Sequence, residues 1–110
     1  MADYVPDTGD IVWLHFTPHA GHEQAGHRPA LVLTPARYNR IRGMMICCPM
    51  TSKAKGYVFE VPADDSGGSV ILADQVKSVD WRARQASLKG KASEAAVADV
   101  KAKLRALLGI

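Results

Sequence analysis

Several short stretches of the chain have the hydrophobic pattern of β-strands. Residues 10–16 (DIVWLHF) and 57–61 (YVFEV) alternate in side-chain character, and residues 44–50 (MMICCPM) are almost continuously apolar. A period of two places side chains on alternate faces of a sheet, and a continuous apolar run indicates a strand covered on both faces. Further strands are predicted at residues 29–35, once or twice within 69–79, and at 84–92.

The end of the chain changes to the period of an α-helix. Ser93 is a good N-cap residue and Gly109 a typical helix end. Between them, apolar residues at three- and four-residue spacing predict one stripe that packs on the sheet: Val97, Val100, Leu104, Leu107 and Leu108. Residues 17–27 are predicted to form a loop, and residues 36–43 a hairpin connection or a short helical turn. The predicted fold is mainly β with a C-terminal α-helix, as a small antiparallel barrel or a curled sheet covered by the helix.

Length and composition fit a single domain over residues 1–110. The chain has 110 residues, 47% of them hydrophobic, which suffices for one core. No stretch approaches the roughly 20 apolar residues of a membrane span, and the N-terminus lacks a signal-peptide pattern. We therefore expect a cytoplasmic protein with no membrane contact. Cys47 and Cys48 are adjacent, so we expect one buried thiol and one near the surface.

All four histidines fall between His15 and His27 and raise the question of a metal site. No acidic or thiol cluster follows them at the spacing of zinc ligands, so we predict no metal. The chain also lacks a G-x-S-x-G nucleophile motif, and the glycines Gly67 and Gly68 lack the lysine of a phosphate-binding loop.

Phosphodiester chemistry suits the remaining polar residues better. The net charge of +3 fits a polyanionic partner, although an ordinary solvated surface has a similar charge. Cleavage of RNA needs a base, an acid and positive charge beside the phosphorane. Glu23 or His27 could take the proton, and Arg28 suits phosphate oxygens. Thr51 and Ser52, at the end of a predicted strand, offer hydroxyl and backbone donors. The alternative is structural: an Arg28–Glu23 ion pair and a plain turn at Thr51 and Ser52.

Four stretches give the chain a resemblance to a known family: GDIVWLHF, GHEQAGHRPALVL, PMTSKAKGYVFEV and LADQVKSVDWRAR. They occur in order over nearly the whole chain and resemble the MazF/PemK family of toxin endoribonucleases from type II toxin–antitoxin systems. The resemblance implies a small SH3-like antiparallel β-barrel of the MazF/CcdB/Kid toxin type, which forms a homodimer. It also implies sequence-specific cleavage of single-stranded mRNA without metal or cofactor, giving 2′,3′-cyclic phosphate products. Translation and growth would then stop.

The resemblance also assigns roles to particular residues. It implies that Arg28, Thr51 and Glu23 are catalytic. It implies RNA contacts at Gln24, His27, Ser52, Lys53 and Gln75. The implied partners are single-stranded RNA and a MazE-like antitoxin, whose acidic extended segment occupies the RNA groove, and operator DNA is reached only through that antitoxin. His19 and His22 look particular to this chain.

Two other interpretations fit the same fold. A non-catalytic toxin of related fold binds and poisons DNA gyrase, but it has no need of an Arg28–Thr51 pair with Glu23. A degenerate toxin would only regulate its own operon together with the antitoxin.

Overall fold

The computed structural model describes residues 3–16, 26–64 and 68–110. The strands are β1 (Asp10–Phe16), β2 (Gly26–Val32), β3 (Met45–Thr51), β4 (Glu60–Pro62), β5 (Val70–Leu72), β6 (Lys77–Val79) and β7 (Ser87–Lys91). The helices are α1 (Ala36–Arg42) and α2 (Glu94–Leu108), and a 3₁₀ turn covers Ala73–Gln75. The prediction of a mainly β fold with a C-terminal helix is confirmed.

The strands form one antiparallel sheet in the order β4-β5-β3-β2-β1-β7. One edge of β3 is shared, because its first half pairs with β6 and its last two residues, Met50 and Thr51, pair with β5. The strands described here thus pair as a curled, barrel-like sheet with β4 and β7 at its ends. This matches the curled form of the predicted barrel.

Each face of the sheet is covered by its own apolar core. Ile11 and Leu31 point to one core, which α2 closes with Ala96 and Val100. The alternate residues of the same strands point to a second core with Trp81. The expectation that one cysteine lies near the surface is wrong, because both faces of β3 are covered and Cys47 and Cys48 are both fully buried. Burial raises the pKa of each thiol to about 12.

Helix α2 follows the predicted pattern except in its last turn. The Ser93 hydroxyl accepts a hydrogen bond from the Ala96 N–H at 3.1 Å, and Gly109 ends the helix in the left-handed conformation at φ 72°. Val100 is fully buried, and Val97 and Leu104 pack partly against the first core. Leu107 and Leu108, which were expected to complete the packed stripe, are exposed.

Two predicted strand boundaries are wrong for local reasons. The second strand occupies residues 26–32 rather than 29–35, so Pro29 lies inside it, and Gly26 and His27, which were predicted to lie in a loop, belong to the strand. The following residues turn into α1, where the buried Asn39 side chain accepts from the Thr34 hydroxyl. Strand β4 begins at Glu60 rather than Tyr57, because the Glu60 carboxylate closes a turn before it.

The last predicted strand is also shorter than expected. Its first residues form a turn in which the Asp80 carbonyl and carboxylate accept from the N–H groups of Arg84 and Ala83. Strand β7 therefore starts at Ser87 rather than Arg84. The residues 36–43, for which a helical turn was one prediction, form α1 followed by Gly43 at φ 67°.

A buried carboxylate ties β1 to β7 and to the N-terminal segment. Asp10 accepts from Tyr4 Oη and Lys91 Nζ, both at 2.6 Å, and from the Asp7 N–H at 3.1 Å. Burial favours the neutral acid, but the hydrogen bonds from Lys91, Tyr4 and Asp7 outweigh it and hold the pKa of Asp10 below its ordinary value. Asp10 is therefore ionised and structural at neutral pH.

Neither of the α-helices in the described part of the chain is long and apolar enough to cross a bilayer.

Candidate active site

Arg28 and Thr51 are brought together by the register of β2 and β3. The paired residues run from Ala30–Pro49 to Val32–Cys47. The same register continued by two residues in each strand sets Arg28 opposite Thr51. Directly opposite residues of antiparallel strands project their side chains to the same face. The side chains of Arg28 and Thr51 therefore leave their strands on the same face of the sheet.

Thr51 is held firmly at this position. It is the last residue of β3, pairs with Val70 of β5, and is only 7% exposed. Its Oγ1 accepts a hydrogen bond from the Lys53 N–H at 3.1 Å. A hydroxyl that accepts one bond still has its own hydrogen to donate. Thr51 therefore keeps a hydroxyl hydrogen that it can donate to an oxygen of a bound anion.

The loop after Thr51 presents positive charge and is held by Glu60. The Glu60 carboxylate accepts hydrogen bonds from the backbone N–H groups of Lys55, Gly56 and Tyr57 at 3.0 to 3.3 Å. This closure fixes the loop that carries Lys53 and Lys55, both of which are exposed. Sequence reasoning missed this role, although Glu60 is the only acidic residue between Thr51 and Val61.

Gln75 lies in the element that packs beside this loop. The Ala73 N–H donates to the Phe59 carbonyl at 3.0 Å, which joins the 3₁₀ turn to the loop. The charge of Asp74, together with a hydrogen bond to it, raises the pKa of Tyr57. Gln75 thus lies in a turn joined to the end of this loop at Phe59, whereas Ser52 and Lys53 follow the last residue of β3.

His27 lies on the other face of β2 from Arg28. Arg28 is paired with Leu14, a residue of the second core, whereas His27 is paired with His15. Successive side chains of a strand point to opposite faces. This placement argues against His27 as the base at a phosphate held between Arg28 and Thr51.

Four residues singled out from the sequence lie outside the described residues: His19, His22, Glu23 and Gln24. Within residues 3–16, 26–64 and 68–110, no group of three or more histidine, cysteine, aspartate or glutamate side chains is placed to hold a metal ion. Both described histidines, His15 and His27, instead stack on each other with ring centroids 4.5 Å apart.

The fold and the site together define a small β-sheet protein that is covered by a helix and has basic and hydroxyl side chains suited to an anion. An arginine and a threonine that the strand register directs to one face occur together with a lysine-bearing loop, a set of side chains suited to a phosphodiester. Comparison with known proteins identifies the family. Residues 7–108 match the family described as PemK-like, MazF-like toxin of type II toxin-antitoxin system, and the chain belongs to it.

Individual relatives match over almost the whole chain. The protein named Endoribonuclease toxin MazF from Escherichia coli (strain K12) is 50% identical over 110 residues, which is 99% of each chain. The crystal structure of MazF (Form-I) from Deinococcus radiodurans superposes with a TM-score of 0.90 at 55% identity, covering 98% of this chain and all of that one. The MazE-MazF (Form-III) structure from the same organism gives a TM-score of 0.86 at 50% identity, with 97% and 99% covered.

Proposed function

We propose that this protein is a sequence-specific endoribonuclease toxin that cleaves single-stranded mRNA, inhibits translation and arrests growth. The observation that carries the proposal is the register of β2 and β3, which, continued two residues beyond the Ala30–Pro49 pair, sets Arg28 opposite Thr51. A guanidinium fork and a hydroxyl on one face match the non-bridging oxygens of a phosphate. Membership of the family of PemK-like and MazF-like toxins supports the same chemistry.

The proposed reaction is an internal transesterification of RNA that needs no metal or cofactor. The ribose 2′-oxygen attacks the adjacent phosphorus while a base removes its proton. The P–O5′ bond breaks, and an acid protonates the departing 5′-oxygen. The products are a 2′,3′-cyclic phosphate and a 5′-hydroxyl.

Arg28 and Thr51 act on the charge that grows during this step. Arg28 neutralises the dianionic phosphorane, and two parallel donors let it engage two oxygens at once. Thr51 donates to a non-bridging oxygen or positions the 2′-hydroxyl. In other enzymes, removing a single preorganised donor of this kind raises the barrier by about 3 to 4 kcal/mol. Glu23 is proposed as the third catalytic residue, and comparing the pH profiles of the wild type and Glu23→Gln would show whether Glu23 is the base.

The RNA is proposed to run across the end of the sheet. Ser52 and Lys53 follow Thr51 directly, and Gln75 lies in the 3₁₀ turn that packs on the same loop. Together with Gln24 and His27, these residues are proposed to contact RNA. Loops that carry polar and basic groups suit unpaired bases, which are read by stacking and edge contacts.

The proposed partner is a MazE-like antitoxin whose acidic extended segment occupies the RNA groove. A related structure is a complex of MazE with MazF, which supports a partner of this class. We also propose that the chain acts as a single domain over residues 1–110, forms a homodimer and works in the cytoplasm. It would reach operator DNA only through the antitoxin.

The test is to incubate the purified protein with RNA in EDTA and to map the 5′ ends of the fragments. We expect cleavage at one short sequence, with 2′,3′-cyclic phosphate ends, and at least about 100-fold slower cleavage by Arg28→Ala. Cleavage that needs a metal ion, or that survives unchanged in Arg28→Ala, would contradict the proposal. Growth arrest with intact RNA and trapped DNA–gyrase complexes would favour the gyrase alternative instead.

A further inference from the structure

Three aromatic rings stack on the face of β1 and β2 that lies opposite Arg28. The ring of His27 is in the middle, with its centroid 5.2 Å from Trp13 and 4.5 Å from His15. The rings are inclined to each other by only 23° and 29°. Lys89 of β7 places its ammonium 5.3 Å from the centroid of the Trp13 ring. We call Trp13, His27 and His15 the aromatic stack.

The aromatic stack is not part of either core. The face on which it lies is covered by α2 further along, at Ile11 and Leu31, but neither apolar core includes any of the three rings. His15 and His27 are exposed and Trp13 is half-buried. Cross-strand ring pairs do stabilise a sheet. Exposed planar rings beside a cation, however, form a surface of defined chemistry that folding alone does not require.

That chemistry fits an unpaired nucleobase. Proteins that hold single-stranded RNA combine aromatic planes, on which bases stack, with cations that follow the phosphates. Histidine and tryptophan rings both serve as stacking planes, and every base presents a π-face. Lys89 supplies the cation at the Trp13 end of the stack. An acidic peptide would use the lysine but has no need of three parallel rings.

The aromatic stack lies on the opposite face of the sheet from Arg28 but on the same segment of β2. His27 immediately precedes Arg28 in β2, and neighbouring Cα atoms are about 3.8 Å apart. Strand β2 pairs with β3 over Ala30–Val32, so residues 26–29 extend past this paired segment. An RNA strand that crosses this extension meets Arg28 on one side and His27 on the other.

We propose that the aromatic stack binds one unpaired base adjacent to the phosphate held by Arg28, and that Lys89 contacts the next phosphate. The inference rests on the proposed function and extends it to specificity, because it adds Trp13, His15 and Lys89 to the RNA-binding surface. A base held there sets the register of the RNA relative to the cleaved bond.

The test uses an RNA oligonucleotide that contains the cleavage site mapped for this protein. Its riboses are 2′-O-methylated so that it stays intact, and a matched set carries one abasic position at a time. We expect His15→Ala to weaken binding of the intact oligonucleotide by about fivefold or more. His15→Phe keeps a ring and retains the affinity. Tyr38→Ala, an exposed aromatic change on α1, is the matched control and leaves it unchanged.

Two further readouts separate stacking from a general loss of structure. The abasic position that weakens wild-type binding most costs His15→Ala measurably less, because the stacking partner is already gone. RNA quenches the fluorescence of the wild type but not that of Trp13→Phe, in which the buried Trp81 remains as the tryptophan. Circular dichroism and thermal unfolding verify that each variant is folded.

Failure of the inference and failure of the proposed function give different results. If the wild type does not cleave RNA, the proposed function fails and the inference fails with it. If the wild type cleaves normally but His15→Ala binds every oligonucleotide as the wild type does, the inference alone is overturned. Unchanged RNA affinity with lost affinity for the antitoxin would also overturn it, because the aromatic stack would then bind a protein.

Discussion

Replacing Thr51 by valine removes the hydroxyl group but keeps the shape of the side chain. Valine keeps the branched side chain that suits the end of β3 and fills nearly the same space in a site that is 7% exposed. The structural loss is one hydrogen bond, from the Lys53 N–H to Oγ1 at 3.1 Å. Such a bond contributes about 1 kcal/mol to the free energy of unfolding.

The expected effect on catalysis is much larger than this effect on folding. If the Thr51 hydroxyl donates to the reacting phosphate, its loss raises the barrier by about 3 kcal/mol and slows cleavage by at least about 100-fold. Thr51→Ser is the matched control, because it keeps the hydroxyl and loses only a methyl group. We expect its cleavage rate to stay within about tenfold of the wild type, since the donor is still present.

The assay measures single-turnover cleavage of a labelled RNA beside a urea titration of each variant. The reasoning predicts a slow, folded Thr51→Val and an active Thr51→Ser. It is refuted if Thr51→Val cleaves within a few-fold of the wild type. It is equally refuted if valine and serine slow the reaction to the same extent, because the hydroxyl would then not matter.

Three further predictions concern the loop beside the site, the buried carboxylate of Asp10 and the two buried thiols. Glu60→Gln weakens the hydrogen bonds that hold the loop carrying Lys53. The affinity for RNA should therefore fall about fivefold while kcat stays unchanged. An affinity equal to that of the wild type in a binding titration would contradict this. Asp10→Asn lowers the free energy of unfolding at pH 7 by about 2 kcal/mol. The pKa of Asp10 is lowered on folding, so its contribution to the free energy of unfolding is complete above about pH 4 and is lost as the pH falls below that. Denaturant titrations at several pH values should show that Asp10→Asn lacks this loss of stability at low pH. Burial raises the pKa of Cys47 and Cys48 to about 12, so a thiol reagent at pH 8 should label neither before unfolding and both after it.

The pattern of apolar residues predicted the interior elements well and the boundaries less well. The alternation in residues 10–16 coincides with β1, and the apolar run at 44–50 matches β3 to within one residue. Strand β4 was predicted too early because the alternation of YVFEV continues through residues that Glu60 holds in a turn. A local pattern contains no information on where a carboxylate finds its backbone donors.

The candidate site depended on information that a pattern does not contain. Arg28 and Thr51 are far apart in the chain, and only the register of β2 and β3, continued beyond Ala30–Pro49, directs them to the same face. Register is set by pairing and packing, so the family resemblance supplied what spacing could not. The aromatic stack was out of reach for a related reason, because His27 was assigned to a loop while it lies in β2 opposite His15.

The most direct test of the central claim is cleavage of RNA with a single 2′-deoxy nucleotide at the mapped site, in EDTA, by the wild type and by Arg28→Ala. The account predicts that the wild type cleaves the all-ribose RNA to a 2′,3′-cyclic phosphate and a 5′-hydroxyl. It predicts no cleavage at that site of the 2′-deoxy RNA, and at least about 100-fold slower cleavage of the all-ribose RNA by Arg28→Ala. Cleavage at the deoxy position, or full activity of Arg28→Ala, would contradict it.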